Sequence, residues 1–385
     1  MKRSITTLAM VWMATALCLA GTHVTVRVSG INADSLLVDN APLSGNEQLP
    51  GTRLAFHDNT ATYQVANTVL AVSQVVVTGK KGERHRLLAL LVPGHEAELI
   101  VNGATGTFTY SGDELYGRLA HAQQVVAPYE ARMQELNDIY RTETARPGAN
   151  ADSIGEALTA LAQSITNEEI AAVTGYINAN PDEDGSAYLL QYIDYSDSEE
   201  GLALLRSNAA LLSERVRGGD LAPLVDYLLK GADKEEARLL QQKNVADGKP
   251  AIDFTLKDLQ GKDFTLSSLR GKWVVIDFWG SWCIWCIRGI PSMKDTYNKY
   301  KAGGKLEFVS VACRDTDAKW RAAVQKHALP WVNVFNPQGD GDITGLYAIQ
   351  GFPTKVIVDP QGNIYRTVVG EDPEFYSIID EVMSR

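Results

Sequence analysis

The chain has 385 residues, 45 % of them hydrophobic and 22 % charged, with a formal net charge of −11 at pH 7. An acidic surplus repels phosphate backbones and argues against nucleic acid as a partner. Four cysteines in this length are too few to staple a scaffold, so the thiols serve chemistry or stand by chance, and a chain of this size builds two or three cores rather than one.

Residues 1–20 read as a cleaved secretory leader. Lys2 and Arg3 precede an apolar stretch from Ile5 to Leu19, and Ala20 suits the last position before cleavage. The stretch is at the short end for crossing a bilayer. Cys18 raises a lipid anchor, but Leu17 stands where a small residue normally precedes a lipidated cysteine. The expected location is therefore the periplasm or cell envelope, without that anchor. Cleavage removes two cations and no acids, which takes the formal charge from −11 to −13.

Residues 21–112 form a β-rich domain on the pattern of their short β-prone runs, among them 24–28, 74–77 and 87–92, which predict a small antiparallel sandwich or barrel. The charged run from Lys80 to Arg86 reads as a solvated hairpin turn. Residues 113–246 are predicted to be a helical spacer or bundle. Leu115, Leu119, Ala122, Val126, Tyr129, Met133, Leu136 and Tyr140 recur at spacings of four and three, the packing seam of one long helix that Pro128 should kink or break. Packing inside the chain is the preferred reading of that seam, with a dimer as the alternative. Thr166 with Glu169, and Ser196 with Glu199, have capping-box spacing and should each head a further helix.

Asp247, Gly248, Lys249 and Pro250 mark a boundary, after which strand patterns at 273–278, 306–312 and 355–358 alternate with helical ones. Residues 247–385 thus read as an α/β layered domain. Trp279, Gly280, Ser281, Trp282, Cys283, Ile284, Trp285 and Cys286 follow the first of those strands. Two thiols three positions apart, where a buried strand gives way to a helix, suit thiol-disulfide exchange. Cys283, at the helix start, is favoured as thiolate by unpaired amides and the positive dipole end, and is the candidate nucleophile. Cys286, one turn on, is the candidate resolving thiol. Zinc would need two more ligands, and Ile287 stands where covalent haem attachment wants histidine, so neither metal nor cofactor is expected. Cys313, after strand 306–312, reads as a buried small hydrophobe and Trp279 as a core residue.

The pattern of Asp277, Phe278, Trp279, Trp282, Cys283, Cys286 and Pro291 resembles the thioredoxin superfamily. Gly351, Phe352, Pro353 and Thr354, ahead of the apolar run 356–358, look like that superfamily's cis-proline turn. The long interval from Cys286 to Pro353, with the opening Asp253, Phe254, Thr255 and Leu256, resembles the TlpA-like (AhpC/TSA-type) envelope branch, an opening shared with peroxiredoxins. Residues 97–103 and 111–115 weakly resemble the β-rich domain that precedes such domains in some envelope proteins. The resemblance implies a thioredoxin-like fold, a redox disulfide between Cys283 and Cys286, and a proton acceptor in Asp277. It also implies substrate contact by Pro353 and by Trp282 as a lip of the groove. Phe352 fits peptide contact and core packing equally.

By resemblance, too, the partners are disulfide-bearing proteins or thiol clients that the protein reduces, with a membrane-bound electron donor restoring the dithiol. The chain departs from the pattern at Trp285, where proline is common, at Ile284, where glycine is common, and at Gly289, where related reductases often carry glutamate. Gly280 occupies the place of a peroxidatic threonine, which weighs against peroxidase chemistry. The rival reading is a client-docking protein in which the front half is the functional part and the dithiol is secondary.

Overall fold

From Thr22 onward apolar and polar residues alternate, and a computed structural model, which describes residues 21–43, 49–339 and 341–384, shows eight strands up to Gly112. They are β1 (Thr22–Ser29), β2 (Ala33–Pro42), β3 (Leu49–Ala55), β4 (Thr60–Val65), β5 (Ala71–Gly79), β6 (Arg84–Leu91), β7 (Glu96–Asn102) and β8 (Thr107–Gly112). The leader reading, with Cys18, lies outside the described residues. Two four-stranded sheets result, ordered β4-β1-β7-β8 and β3-β2-β5-β6. Val24, Val26, Leu99 and Val101 of one sheet, and Leu36, Val38, Val75 and Val77 of the other, are fully buried, each stabilising the fold by about 1.5–3 kcal/mol. Hydrogen bonds cross between the sheets, with the Tyr63 hydroxyl 3.4 Å from that of Ser73 and the Leu90 amide donating to the Tyr110 hydroxyl at 2.6 Å.

One pairing departs from the antiparallel expectation: β1 runs parallel to β7, with His23 opposite Glu96 and Ser29 opposite Asn102. Such a pair is joined by most of the intervening domain, so no short-range turn signal announces it. The β5–β6 hairpin turns over residues 80–83 with Gly82 at φ +90°, while Arg84, His85 and Arg86 already belong to β6.

The long seam becomes α1 (Glu114–Thr144), capped by Asp113, whose carboxylate accepts from the amides of Leu115 and Tyr116. It continues through Pro128 unbroken, against the expected break. Pro128 and Gln124 both face solvent, so the carbonyl that proline cannot satisfy is open to water. The seam is buried from Leu115 to Val126 and loosens beyond, with Tyr129, Met133 and Leu136 half-buried and Tyr140 exposed.

Both capping boxes are corrected. Asn150 caps α2 (Ala151–Ala179), and Thr166 lies in that helix's interior. After α3 (Asp184–Leu189), α4 (Glu199–Leu211) is capped by Ser198, which accepts from the Gly201 amide at 2.9 Å, so Ser196 stands outside the helix. In both cases a nearer side chain meets the first free amides. α5 (Glu214–Arg217) and α6 (Ala222–Asn244) follow. The chain divides into two compact units between Lys234 and Glu235, within α6 and twelve residues before Asp247.

The second unit contains β9 (Thr255–Asp258), β10 (Asp263–Thr265), β11 (Trp273–Trp279), α7 (Ile284–Tyr300), β12 (Leu306–Ala312), α8 (Asp317–His327), β13 (Val332–Phe335), β14 (Thr354–Val358), β15 (Ile364–Val369) and α9 (Glu374–Ser384). Its sheet is ordered β10-β9-β13-β12-β11-β14-β15, with β11, β12 and β13 parallel and the outer strands antiparallel. Central strands covered on both faces read as continuous apolar runs, and all of β14 is buried. Val274, Ile276 and Phe278 pack on one face with Val309, Val311 and Val356. Val275, Phe308 and Ile357 pack on the other with Met293 and Tyr297 of α7 and Phe375 and Ile379 of α9. Strand alternation puts Asp277, Ser310 and Lys355 on this second face, beneath the helices.

Candidate active site

A buried strand delivers the chain to the dithiol. β11 ends at Trp279, and after a short turn Cys283 caps α7 in extended conformation (φ −85°, ψ 105°), its sulfur accepting from the Cys286 amide at 3.1 Å. Cys283 and Cys286 form a disulfide with an S–S distance of 2.08 Å, and both residues are about 5 % exposed. Thiolate charge on Cys283 would face the free amides and positive end of α7. The turn is pinned from the next crossover, where the buried Asp315 carboxylate accepts from the Ser281 amide at 2.8 Å and from the Thr316 amide at 2.9 Å.

Around the buried sulfurs lies an apolar rim: Trp282, Ile284 and Trp285 are each more than half exposed. Trp282 is held by its indole N–H, which donates to the Cys313 carbonyl at 3.1 Å, and its ring meets Phe352 edge-on at 5.4 Å. That contact joins the dithiol turn to the Pro353 turn, whose Phe352–Pro353 peptide is cis. Phe352 is half-buried against both the sheet core and the cluster that holds the two cysteines. Two cations cover the rim, Arg314 over Phe352 at 5.4 Å and Arg288 over Trp285 at 4.8 Å. Asp277 lies fully inside, accepting from the Ser310 hydroxyl at 2.9 Å, and burial pushes its carboxyl above the ordinary range against the opposing pull of Lys355.

Comparison with known proteins agrees with this geometry. The AhpC/TSA family profile matches residues 248–367. Thiol-disulfide oxidoreductase ResA of Bacillus thuringiensis (strain Al Hakam) is 32 % identical over 140 residues, which is 36 % of this chain and 75 % of the relative. The chain belongs to this family of thioredoxin-fold thiol-disulfide oxidoreductases. ResA of Bacillus subtilis (strain 168) is 28 % identical over 143 residues, 37 % of this chain and 77 % of that protein. Among solved structures, the thioredoxin domain of a thiol-disulfide oxidoreductase from Bacteroides vulgatus is 29 % identical, with a TM-score of 0.34 over 36 % of this chain and 98 % of that one.

The structure of the oxidoreductase thus brings Cys283, Cys286, Trp282, Phe352 and Pro353 together at one end of the sheet, with Asp277 beneath. At Gly280, a side chain would collide with the Trp282 indole and the Cys313 carbonyl, so the peroxidatic threonine has no room there. Cys313 is a free thiol, wholly buried, donating to the Val311 carbonyl at 3.4 Å, and desolvation pushes its pKa far above the ordinary thiol value, so thiolate is disfavoured. Trp279 is 2 % exposed.

Two residues escaped sequence reasoning. Lys355 is 1 % exposed and sits directly across from Asp277 in the β11–β14 register. Its ammonium pairs at 2.9 Å with Glu371, which follows β15. A lysine in strand 354–358, directly ahead of the apolar run 356–358, was the available signal for the first. Nothing local marks Glu371, whose carboxylate reaches the site only through the fold.

Proposed function

We propose that this oxidoreductase is exported and reduces disulfides of envelope proteins. What carries the reading is the dithiol itself: an N-terminal cysteine that caps α7, buried sulfurs, and an exposed apolar rim that suits an unfolded or extended client segment. The Cys283 thiolate attacks one sulfur of a client disulfide. A Cys283–client bond forms, the client S–S bond breaks, and the electron pair leaves on the client's second sulfur, which takes a proton from solvent. Cys286 then gives its proton to Asp277 while its sulfur attacks Cys283, which forms the Cys283–Cys286 bond and expels the client's first sulfur as thiolate.

Trp282, Phe352 and Pro353 line the approach, and Arg288 and Arg314 favour clients with acidic residues beside the cysteine. Support for export comes from the leader pattern of residues 1–20. An oxidising envelope would not restore the dithiol, so a membrane-bound donor is part of the same reading.

Equilibration of the full chain with a dithiol buffer, read by tryptophan fluorescence, tests the direction. A potential near or below about −220 mV supports a reductase, and one near about −120 mV replaces it with an oxidant or isomerase. A Cys286→Ser variant expressed in cells should accumulate mixed disulfides with clients in the envelope fraction, and capture that survives reducing agent would instead favour thiol-independent docking.

A further inference from the structure

We propose that Lys355, buried, and Glu371, half-buried, form a charge pair that governs proton transfer in the resolving step, the lysine and the glutamate acting in opposite directions on both Asp277 and the Cys286 thiol. The inference deepens the reading above and rests on it for the identity of the resolving thiol. Three observations place the pair. Lys355 is opposite Asp277 in strand register and on the same face of the sheet. Its ammonium contacts the Glu371 carboxylate at 2.9 Å and the Phe375 ring at 5.3 Å, and is otherwise sealed from water. Glu371, which also accepts from the Tyr376 hydroxyl, fills the space against α7 that a side chain on residue 289 would occupy; any substituent on Gly289 would overlap its carboxylate. Gly289 follows Cys286 by three positions on the buried face of α7. Neighbouring side chains at that spacing are about 5–6 Å apart, so Glu371 stands one helical step from the resolving thiol.

An apolar pair of similar volume would hold β14 in place as well as this ion pair does. What the charges add is a local field. The titratable groups that act on Asp277 are Lys355 on β14, Glu371 after β15, Tyr376 on α9 and Cys313 after β12, with the Trp331 indole fixing the Ser310 hydroxyl at 2.8 Å; Cys286 stands on α7, which covers the same face of the sheet through Met293 and Tyr297. In this set Lys355 is the sole cation. It favours both carboxylate at Asp277 and thiolate at Cys286, whereas Glu371 disfavours both. The balance of the two charges therefore sets the pH at which the resolving step proceeds: Cys286 loses its proton, Asp277 gains it, the Cys283–Cys286 bond forms, and the client sulfur departs with the electron pair of the broken mixed disulfide.

The test mixes the reduced full chain with an aromatic disulfide in a stopped-flow instrument from acid to alkaline pH. The first aromatic thiolate released reports attack by Cys283, and the second reports resolution by Cys286. Lys355→Met should move the midpoint of the second phase to higher pH and Glu371→Gln to lower pH, each by about one unit or more, with the first phase unmoved. Lys355→Met/Glu371→Gln should return it toward the parent, and Lys355→Arg should keep the parent's midpoint.

Melting of the oxidised proteins verifies folding. If a single variant fails to fold, the charge-free double variant and Lys355→Arg decide the matter, because a field predicts near-parental midpoints for both. Single-variant midpoints that coincide with the parent's, or that shift in the same direction, overturn the proposal. Asp277→Asn, measured alongside, separates the two ideas. An unchanged second phase in Asp277→Asn removes Asp277 as acceptor, and opposite shifts in the charge variants would then place the field on Cys286 directly.

Discussion

Asp184 in the first unit of the chain and Asp277 in the second are both deeply buried, and these two are used differently. Asp184, in α3 of the first unit, is 4 % exposed and is met by two guanidinium groups, Arg118 at 2.8 Å and Arg215 at 3.2 Å. Those partners come from α1 and α5, so the carboxylate ties separate helices into one body. Asp277, in β11 of the second unit, is as deeply buried but has one hydroxyl donor and a single lysine, and Glu371 competes for that lysine. A carboxylate saturated by cations acts as a tether, whereas one left short of them in a low dielectric readily takes up a proton. Burial alone does not separate the two; the number and sharing of cationic partners does.

The sharpest way to break this comparison is at the sulfur. Cys283→Ser should abolish disulfide exchange outright while leaving the helical unit's melting unchanged; residual turnover with a model disulfide would remove Cys283 as nucleophile. Next in size is Asp277→Asn, expected to slow resolution about 10²-fold at neutral pH, within the range a positioned base contributes. It should also stabilise the oxidised protein. The folded Asp277 holds its proton more tightly than the unfolded one, so stability falls as pH rises from the ordinary carboxylate value of 3.8 through the raised native value. The variant is spared that loss, and its melting temperature should exceed the parent's above this window and converge with it at low pH.

Asp184→Asn should do the reverse, costing about 1–3 kcal/mol of stability with exchange kinetics untouched. Denaturant melts beside stopped-flow traces would show either pattern, and a kinetic effect in Asp184→Asn would erase the distinction between the two aspartates. Gly289→Ala is expected to cost a similar amount, about 1–3 kcal/mol, because its methyl overlaps the Glu371 carboxylate; an unaltered denaturation midpoint would mean that Glu371 is free to move aside. Smallest is Trp285→Ala, which removes an exposed ring and its Arg288 contact, worth about 0.5–1 kcal/mol. It should appear as a few-fold rise in KM for peptide disulfides with little change in kcat.

Local pattern made much of this legible. The dithiol motif, the strand before it and the amphipathic helix after it are contiguous, so residues 273–300 carry their own instructions: an apolar run, two thiols one turn apart, and Cys286, Gly289, Ile290, Met293 and Tyr297 on one buried face. Helix capping was less legible, since Asn150 and Ser198 prevailed over Thr166 and Ser196 by position relative to the first free amides rather than by residue type. Of the kink or break expected at Pro128, the break does not occur, because the proline's cost depends on whether the stranded carbonyl meets water, which solvent exposure decides.

By itself, then, the sequence determined the local frame of the site: a pair of sulfurs one turn apart, at the end of a buried strand and the head of α7, since each of those depends on neighbours a few residues away. Tertiary structure alone decided its electrostatics. Asp277, Lys355 and Glu371 are separated by 78 and 16 residues, and they meet because β14 pairs antiparallel with β11 and the chain after β15 returns to α7. Charge interactions depend on distance through the fold and on the water it excludes, neither of which is written in the spacing of residues along the chain.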